Sequence, residues 1–140
     1  MFTELRAGNF DLKKYGFYGL FIFYALAGLN HFIMPEFYYP LIPDYFHDRP
    51  TYNAIAGLAE IVLAFGIYYR PFRRASASGI ILLLLTFVSS HVYMIQEGGC
   101  IPESLCVPLW VAWVRLVLIH PLLMFWAWAY RDYKLKTISK

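Results

Sequence analysis

The chain has 140 residues, of which 60% are hydrophobic and 20% aromatic, with only 15% charged and a formal net charge of +3. Soluble domains average about 45–50% apolar and about 25% charged, so this composition excludes an ordinary water-soluble enzyme domain. The modest basic excess is unevenly placed along the chain, which suits contact with anionic lipid rather than nucleic acid.

The apolar residues fall into four runs, at about 15–33, 52–69, 76–95 and 107–130. Each approaches the roughly 17–25 residues that a helix needs to cross a bilayer core. The runs are continuous and lack the period-two alternation of a membrane strand. In lipid only helices and closed barrels satisfy the backbone. The expected fold is therefore all-α: one domain over residues 1–140, a four-transmembrane-helix bundle with an interfacial loop segment after helix 1.

Residues 1–14 are polar and read as a lead-in to the first span. Lys13 and Lys14 before an apolar run, with Ala25-Leu26-Ala27 inside it, also fit a secretory signal. The apolar run continues past that point, which favours an uncleaved helix. The segment after span one, IMPEFYYPLIPDYFHDRP, holds four prolines yet is rich in Phe, Tyr and Ile. It is too interrupted to span and too apolar to sit in water. It reads as a segment lying over the mouth of the bundle, anchored by Phe37, Tyr38, Tyr39 and Tyr45; an ordinary aromatic-belt loop is the simpler alternative. Span two carries Ala54, Gly57, Ala64 and Gly66, and span three opens with Ala75 and Gly79. Small residues let helices approach closely where packing must replace the hydrophobic effect. Pro121 in span four removes a backbone donor and predicts a kink near Val117. Trp110 and Trp113 mark one end of that span, and Trp126, Trp128 and Tyr130 the other.

Lys and Arg set the expected orientation. Arg6, Lys13 and Lys14, then Arg70, Arg73 and Arg74, then Arg131, Lys134, Lys136 and Lys140 make ten of the twelve basic residues. Both termini and the middle turn are thus expected in the cytoplasm. The two remaining loops then face outward, into an oxidising compartment. Cys100 and Cys106, the only cysteines, share one of these loops. A disulfide is the leading reading, against two free thiols or a catalytic dithiol, whose usual two-residue spacing is absent.

Charges inside the apolar runs carry the functional argument. Glu60 and Arg115 each stand alone in their runs, and a charge in hydrocarbon costs about 2.5 kcal/mol even on lenient scales. Both fall two turns below the outward ends, roughly 12 Å deep at the helical rise. Asn30, His31 and His91 lie at similar or shallower depth. These positions predict one outward-opening polar pocket. Glu60 and Arg115 are expected to pair, either to set helix register or to serve a site in which a histidine exchanges protons with a ligand. His31, His91 and Glu60 also form a donor set for iron or zinc, but no spacing signature brings them together, so no metal is assigned. His120, deeper and beside Pro121, is expected to bond a freed backbone carbonyl.

The residues resemble the DoxX-like family of small four-helix membrane proteins. The resemblance rests on Gly28-Leu29-Asn30-His31-Phe32 followed by Pro35 and Phe37-Tyr38, then Ile42-Pro43. It continues through Gly57-Leu58-Ala59-Glu60-Ile61, the basic turn after Tyr69, Ser90-His91-Val92-Tyr93-Met94, and Pro108-Leu109-Trp110 with Arg115. It implies a four-helix inner-membrane protein of bacteria whose polar positions include His31, Glu60, His91 and Arg115; these four are the candidate chemically active residues, with Asn30, Tyr93 and Trp110 as candidate ligand contacts. The family takes its name from a subunit of a thiosulfate:quinone oxidoreductase. Its relatives are linked to thiol redox balance, to methylamine dehydrogenase maturation and, in animals, to receptor assembly. The expectation is a redox-linked or quinone-associated small subunit, with a quinone as the implied ligand and a larger membrane complex as the implied partner. A non-catalytic assembly or structural subunit is the rival, with a small-molecule or ion carrier third. Whether the chain is itself an enzyme stays open.

Overall fold

The computed structural model describes residues 11–135. The start of the lead-in, with Arg6, and the end of the tail, with Lys136 and Lys140, lie outside the described residues. The described chain is all-helical. Helix α1 is Leu12–Ile33, α2 is the short Pro35–Tyr38, α3 is Arg49–Tyr68, α4 is Arg73–Gln96, α5 is Leu109–Val114 and α6 is His120–Tyr130. A π-helical turn, Arg115–Ile119, joins α5 to α6. Four continuous stretches, Leu12–Ile33, Arg49–Tyr68, Arg70–Gln96 and Leu109–Tyr130, are long and apolar enough to cross a membrane.

Local chemistry sets the helix ends. Asp11 accepts from the Lys14 amide and starts α1. Asp48 accepts from the Thr51 amide, and Pro50 sits in the first turn of α3, where its missing donor costs nothing. Those two features begin α3 three residues earlier than hydropathy alone indicates. Arg73 closes the other end of α3. It is a buried cation that donates from Nε to the Ile67 carbonyl at 2.7 Å and from Nη2 to the Tyr68 carbonyl at 3.0 Å. It also reaches the Tyr133 carbonyl and lies over the Phe17 ring. Carbonyls at a helix C-terminus lack intrahelical donors, and a guanidinium supplies them.

The buried positions follow a heptad-like stripe. Phe17, Leu20, Tyr24, Gly28 and His31 face inward on α1; Asn53, Gly57, Glu60, Ala64 and Ile67 do so on α3. The outer faces are apolar: Leu26, Leu58, Leu82 and Val117 are each more than half exposed. That inversion of the soluble pattern suits helices whose outer solvent is hydrocarbon. Helices α1 and α3 run antiparallel and share the most extensive contact; α3 then packs on α4, and α4 on α6.

The two halves of the bundle differ. At the end holding Arg73, the core is closed by Phe17, Leu20, Ala64, Ile67, Ala77, Ile80 and Ala127. Helix α6 docks on α1 there, with Trp126 Nε1 donating to the Gly16 carbonyl at 3.0 Å. Toward the other end the helices separate. Between Leu84 and Met94, no residue of α4 is buried, and α1 makes no close contact with α5.

Two expected packing positions move. Ala54 and Ala75 are exposed, while Ser76, Ala77 and Ile80 form the packed face of α4. Gly66 and Gly79 do stand at the α3–α4 interface, opposite Ser76 and Leu63 respectively. The tightest approach is between α1 and α3. A Cβ on Gly28 would lie 2.6 Å from the Gly57 carbonyl oxygen, and one on Gly57 would lie 2.6 Å from His31 Cβ. The two backbones therefore touch. The proline effect is also local. At the expected kink, Val117 lies within a π turn in which the His120 amide donates to the Arg115 carbonyl, five residues back, one step before Pro121.

Replacing Gly57 with Ala forces α1 and α3 apart at a backbone contact that cannot yield. We expect a loss of about 1–3 kcal/mol, the range for overpacking, measured by thermal or denaturant unfolding in detergent. Gly79→Ala, which meets only the flexible end of Leu63, should cost less. Equal stability of Gly57→Ala and the parent chain would contradict this packing.

Candidate functional site

The separated half of the bundle encloses a cavity of about 640 Å3. Its walls are largely apolar, including Phe23 and Ala27 of α1, Ile55 and Ala56 of α3, and Leu83 and Phe87 of α4. Into it face His31, Asn53, Glu60, His91 and Arg115. The four positions singled out as chemically active therefore share one chamber. Asn30, Tyr93 and Trp110 are not part of its wall. Asn30 instead donates to the Tyr38 hydroxyl at 2.8 Å. Tyr93 packs beside Met94, Ile101 and Ala112, and Trp110 is 67% exposed on the outer surface.

The segment between α1 and α3 folds across the mouth. Tyr38, Leu41, Ile42, Pro43 and Phe46 line the cavity from above. Tyr38 stacks on the His31 ring at 3.8 Å between centroids. Arg49 donates to the Ile42 carbonyl at 3.0 Å and pairs with Asp44, which ties this cover to the start of α3. Of the four expected anchors only Tyr38 turns inward; Tyr45 is exposed. Cys100 and Cys106 are disulfide-bonded. Their loop turns through Gly98 and Gly99, both at positive φ, where glycine carries no steric penalty. Ser104 in that loop donates to the Phe37 carbonyl at 2.6 Å. The cross-linked loop and the cover are thus stitched together.

Deep in the chamber, His31 and Glu60 form the central pair. Asn53 Nδ2 donates to the His31 carbonyl at 2.9 Å, which points its Oδ1 at His31 Nδ1, 2.6 Å away. An amide oxygen only accepts, so Nδ1 carries the proton. Nε2 then faces Glu60 Oε2 at 3.5 Å, within ion-pair reach but long for a hydrogen bond. Glu60 is 5% exposed, and its Oε2 has no hydrogen-bond partner among the described residues. Two bare acceptors repel, so drawing Nε2 and the carboxyl together takes one shared proton, on either group. The net charge of the pair is then zero in either form.

Glu60 does not pair with Arg115. Helix α3 packs on α1 and α4, whereas the Arg115 turn packs on α4, α5 and α6, and the cavity lies between. Arg115 Nη1 contacts only the Met94 thioether, at 3.7 Å, a weak acceptor. Arg115 lines the chamber, and its other donors have no partner among the described residues. His91 contacts His120 ring edge to face at 4.8 Å. His120 Nε2 bonds the Leu84 carbonyl of α4 at 2.6 Å. It thus reaches across to a neighbouring helix rather than to a carbonyl freed by Pro121. The thought of a His31–His91–Glu60 metal set dissolves with this geometry: His91 turns to the His120 side. Among the described residues, no group of three or more His, Cys, Asp or Glu side chains could hold a metal ion.

Asn53 and Met94 are the site residues that sequence reasoning overlooked. Asn53 stands four residues before Gly57 and seven before Glu60, on the same helical face, and that spacing was the available signal. Met94 carried none.

The geometry predicts how the buried charges couple. In a double-mutant cycle, Glu60→Gln and His31→Gln should interact by about 0.5–3 kcal/mol, as contacting residues do. Glu60→Gln and Arg115→Met should be additive within about 0.5 kcal/mol. Unfolding in detergent of the single and double variants would decide it, and strong coupling of Glu60 to Arg115 would overturn the assignment.

No curated protein and no solved structure matches the chain. One family model does, over residues 20–131, a stretch that includes every cavity-lining residue named above. The chain belongs to that family, described as a domain of unknown function, DUF8561.

Proposed function

We propose that this protein binds a lipophilic, oxygen-bearing ring compound of the quinone class inside its bundle, as a small redox-linked subunit of a membrane system. The observation that carries this reading is the cavity between separated helices. It is covered on the loop side by Tyr38, Pro43 and Phe46 and has no contact between α1 and α5 to close its flank. A ligand dissolved in the bilayer could enter between those helices. The volume suits a compact ligand, since such pockets run about 300–1,000 Å3.

Charge narrows the ligand class. With the His31–Glu60 pair summing to zero, Arg115 gives the chamber its positive charge. That balance disfavours cations and favours carbonyl or oxyanion oxygens. Thr86 and Ser89 spend their hydroxyl protons on their own helix, donating to the Leu83 and Thr86 carbonyls at 2.6 and 2.9 Å. Arg115, His91 and the shared proton of His31–Glu60 remain as donors, beside the hydroxyls of Tyr38, Tyr52 and Ser90. They lie on different walls, which suits a ring with acceptors at opposite edges. A quinone supplies two-electron chemistry coupled to protons; the chain supplies binding, orientation and one mobile proton. The resemblance to DoxX-like proteins points the same way. On this reading the chain sits in a bacterial inner membrane with both termini cytoplasmic and the covered cavity opening outward.

Protein purified in mild detergent from its native membrane should retain isoprenoid quinone, detected by organic extraction and ultraviolet absorbance. Arg115→Gln and His31→Gln should each lower occupancy about tenfold or more, the value of a charge-assisted hydrogen bond, while still folding. Quinone at the level of bulk lipid carry-over, or equal retention in stable variants, would refute the proposal. Stable copurification of a protein instead would favour the assembly-subunit reading.

A further inference from the structure

At the end of the bundle opposite the covered cavity lies a second cavity, of about 340 Å3, ringed by Tyr68, Arg70, Arg73, Lys134 and Leu135. We infer that it is a binding site for a phosphate group, that of an anionic lipid headgroup or of free phosphate.

Three cations converge on this small space. No carboxylate of the described residues is in ion-pair range of Arg70, Arg73 or Lys134, the close pairs there being Arg74 and Arg131 on Asp132. Asp11 is taken up at the start of α1. Arg73 is 3% exposed, a buried guanidinium whose partners are three backbone carbonyls and an aromatic face. Those bonds fix its position at the C-terminal end of α3 and supply no opposite formal charge, so an anion in the pocket meets three cations and no carboxylate of the described residues. Arg70 and Lys134, both exposed, stand as movable donors at the rim.

The position fits the ligand. Tyr68 is the last residue of α3, Arg70 opens the next apolar stretch, and Lys134 follows α6. The pocket is therefore level with the ends of three apolar stretches, where headgroups lie in a bilayer. Basic pockets between membrane helices bind acidic headgroups, each Lys or Arg adding about fivefold in affinity. This site is independent of the quinone proposal and uses none of its residues.

The test titrates the full chain in detergent with dihexanoyl phosphatidylglycerol, dihexanoyl phosphatidylcholine and inorganic phosphate, read by calorimetry. Phosphatidylglycerol should bind saturably and more tightly than the zwitterionic lipid. The double variant Arg70→Gln, Lys134→Gln removes exposed side chains only, so its melting temperature should hold, and its affinity should fall about 30-fold. Lys14→Gln, a charge loss near the same end but outside the pocket, should leave affinity within about twofold. Inorganic phosphate binding as tightly as the lipid would identify free phosphate as the source; much weaker binding would identify the headgroup. Either supports the site. No saturable binding of either anion, an unchanged double variant, or an equal loss in Lys14→Gln would overturn it.

Discussion

The contact of two glycine backbones, Gly28 on α1 and Gly57 on α3, is the constraint on which the rest of the structure depends. With no Cβ at either position, the helices close until a carbonyl of one meets the Cα of the other. One turn beyond Gly28 stands His31; one turn either side of Gly57 stand Asn53 and Glu60. The crossing thus delivers a histidine to an amide and a carboxyl on the facing helix. It also brings the His31 carbonyl within reach of Asn53. Any side chain at the crossing would widen it and separate three polar groups that need one another in a low-dielectric setting.

From that crossing the cavity-bearing half of the molecule follows. Helices α1 and α3 are locked together, so the open volume falls between them and the α4–α5 side. Irregular backbone helps to hold the far wall. The π turn that begins at Arg115 widens the last helix where the guanidinium enters the cavity, and π turns recur at functional sites. The disulfide loop packs Ile101 against Met94 and Leu41. It therefore buttresses both the sulfur that touches Arg115 and the cover above His31. The opposite half has no such slack. Its closed core, and Arg73 binding the end of α3 to the segment after α6, make it the anchor against which the open half is built.

Much of this was legible from hydropathy and charge. Four spans, the cover after α1, the disulfide, and a chamber shared by His31, Glu60, His91 and Arg115 follow from run length, compartment and the cost of burying polar groups. Depth along a helix could be counted, but azimuth could not. That is why Glu60 and Arg115, at matched depth, looked like partners although helix order places a cavity between them. The same gap explains Ala54 and Ala75: spacing named small residues, but only packing tells which face is turned inward. Asn30 illustrates a third limit. Its depth suggests a ligand contact, yet it holds Tyr38, because a segment of short helical turns folds back in a way that hydrophobic periodicity does not encode. Arg73 counted in the sequence only as a topological charge, and its carbonyl-capping role needed the three-dimensional end of α3.

The central claim is that His31 and Glu60 share one proton, with Nδ1 of the ring committed to Asn53. Solid-state nitrogen spectra of histidine-labelled protein in bilayers measure this directly. The expected spectrum has a protonated Nδ1 at His31 and an Nε2 resonance that shifts when Glu60 is replaced by Gln, with Nδ1 unmoved. An unprotonated Nδ1, or an Nε2 resonance indifferent to Glu60→Gln, would contradict it.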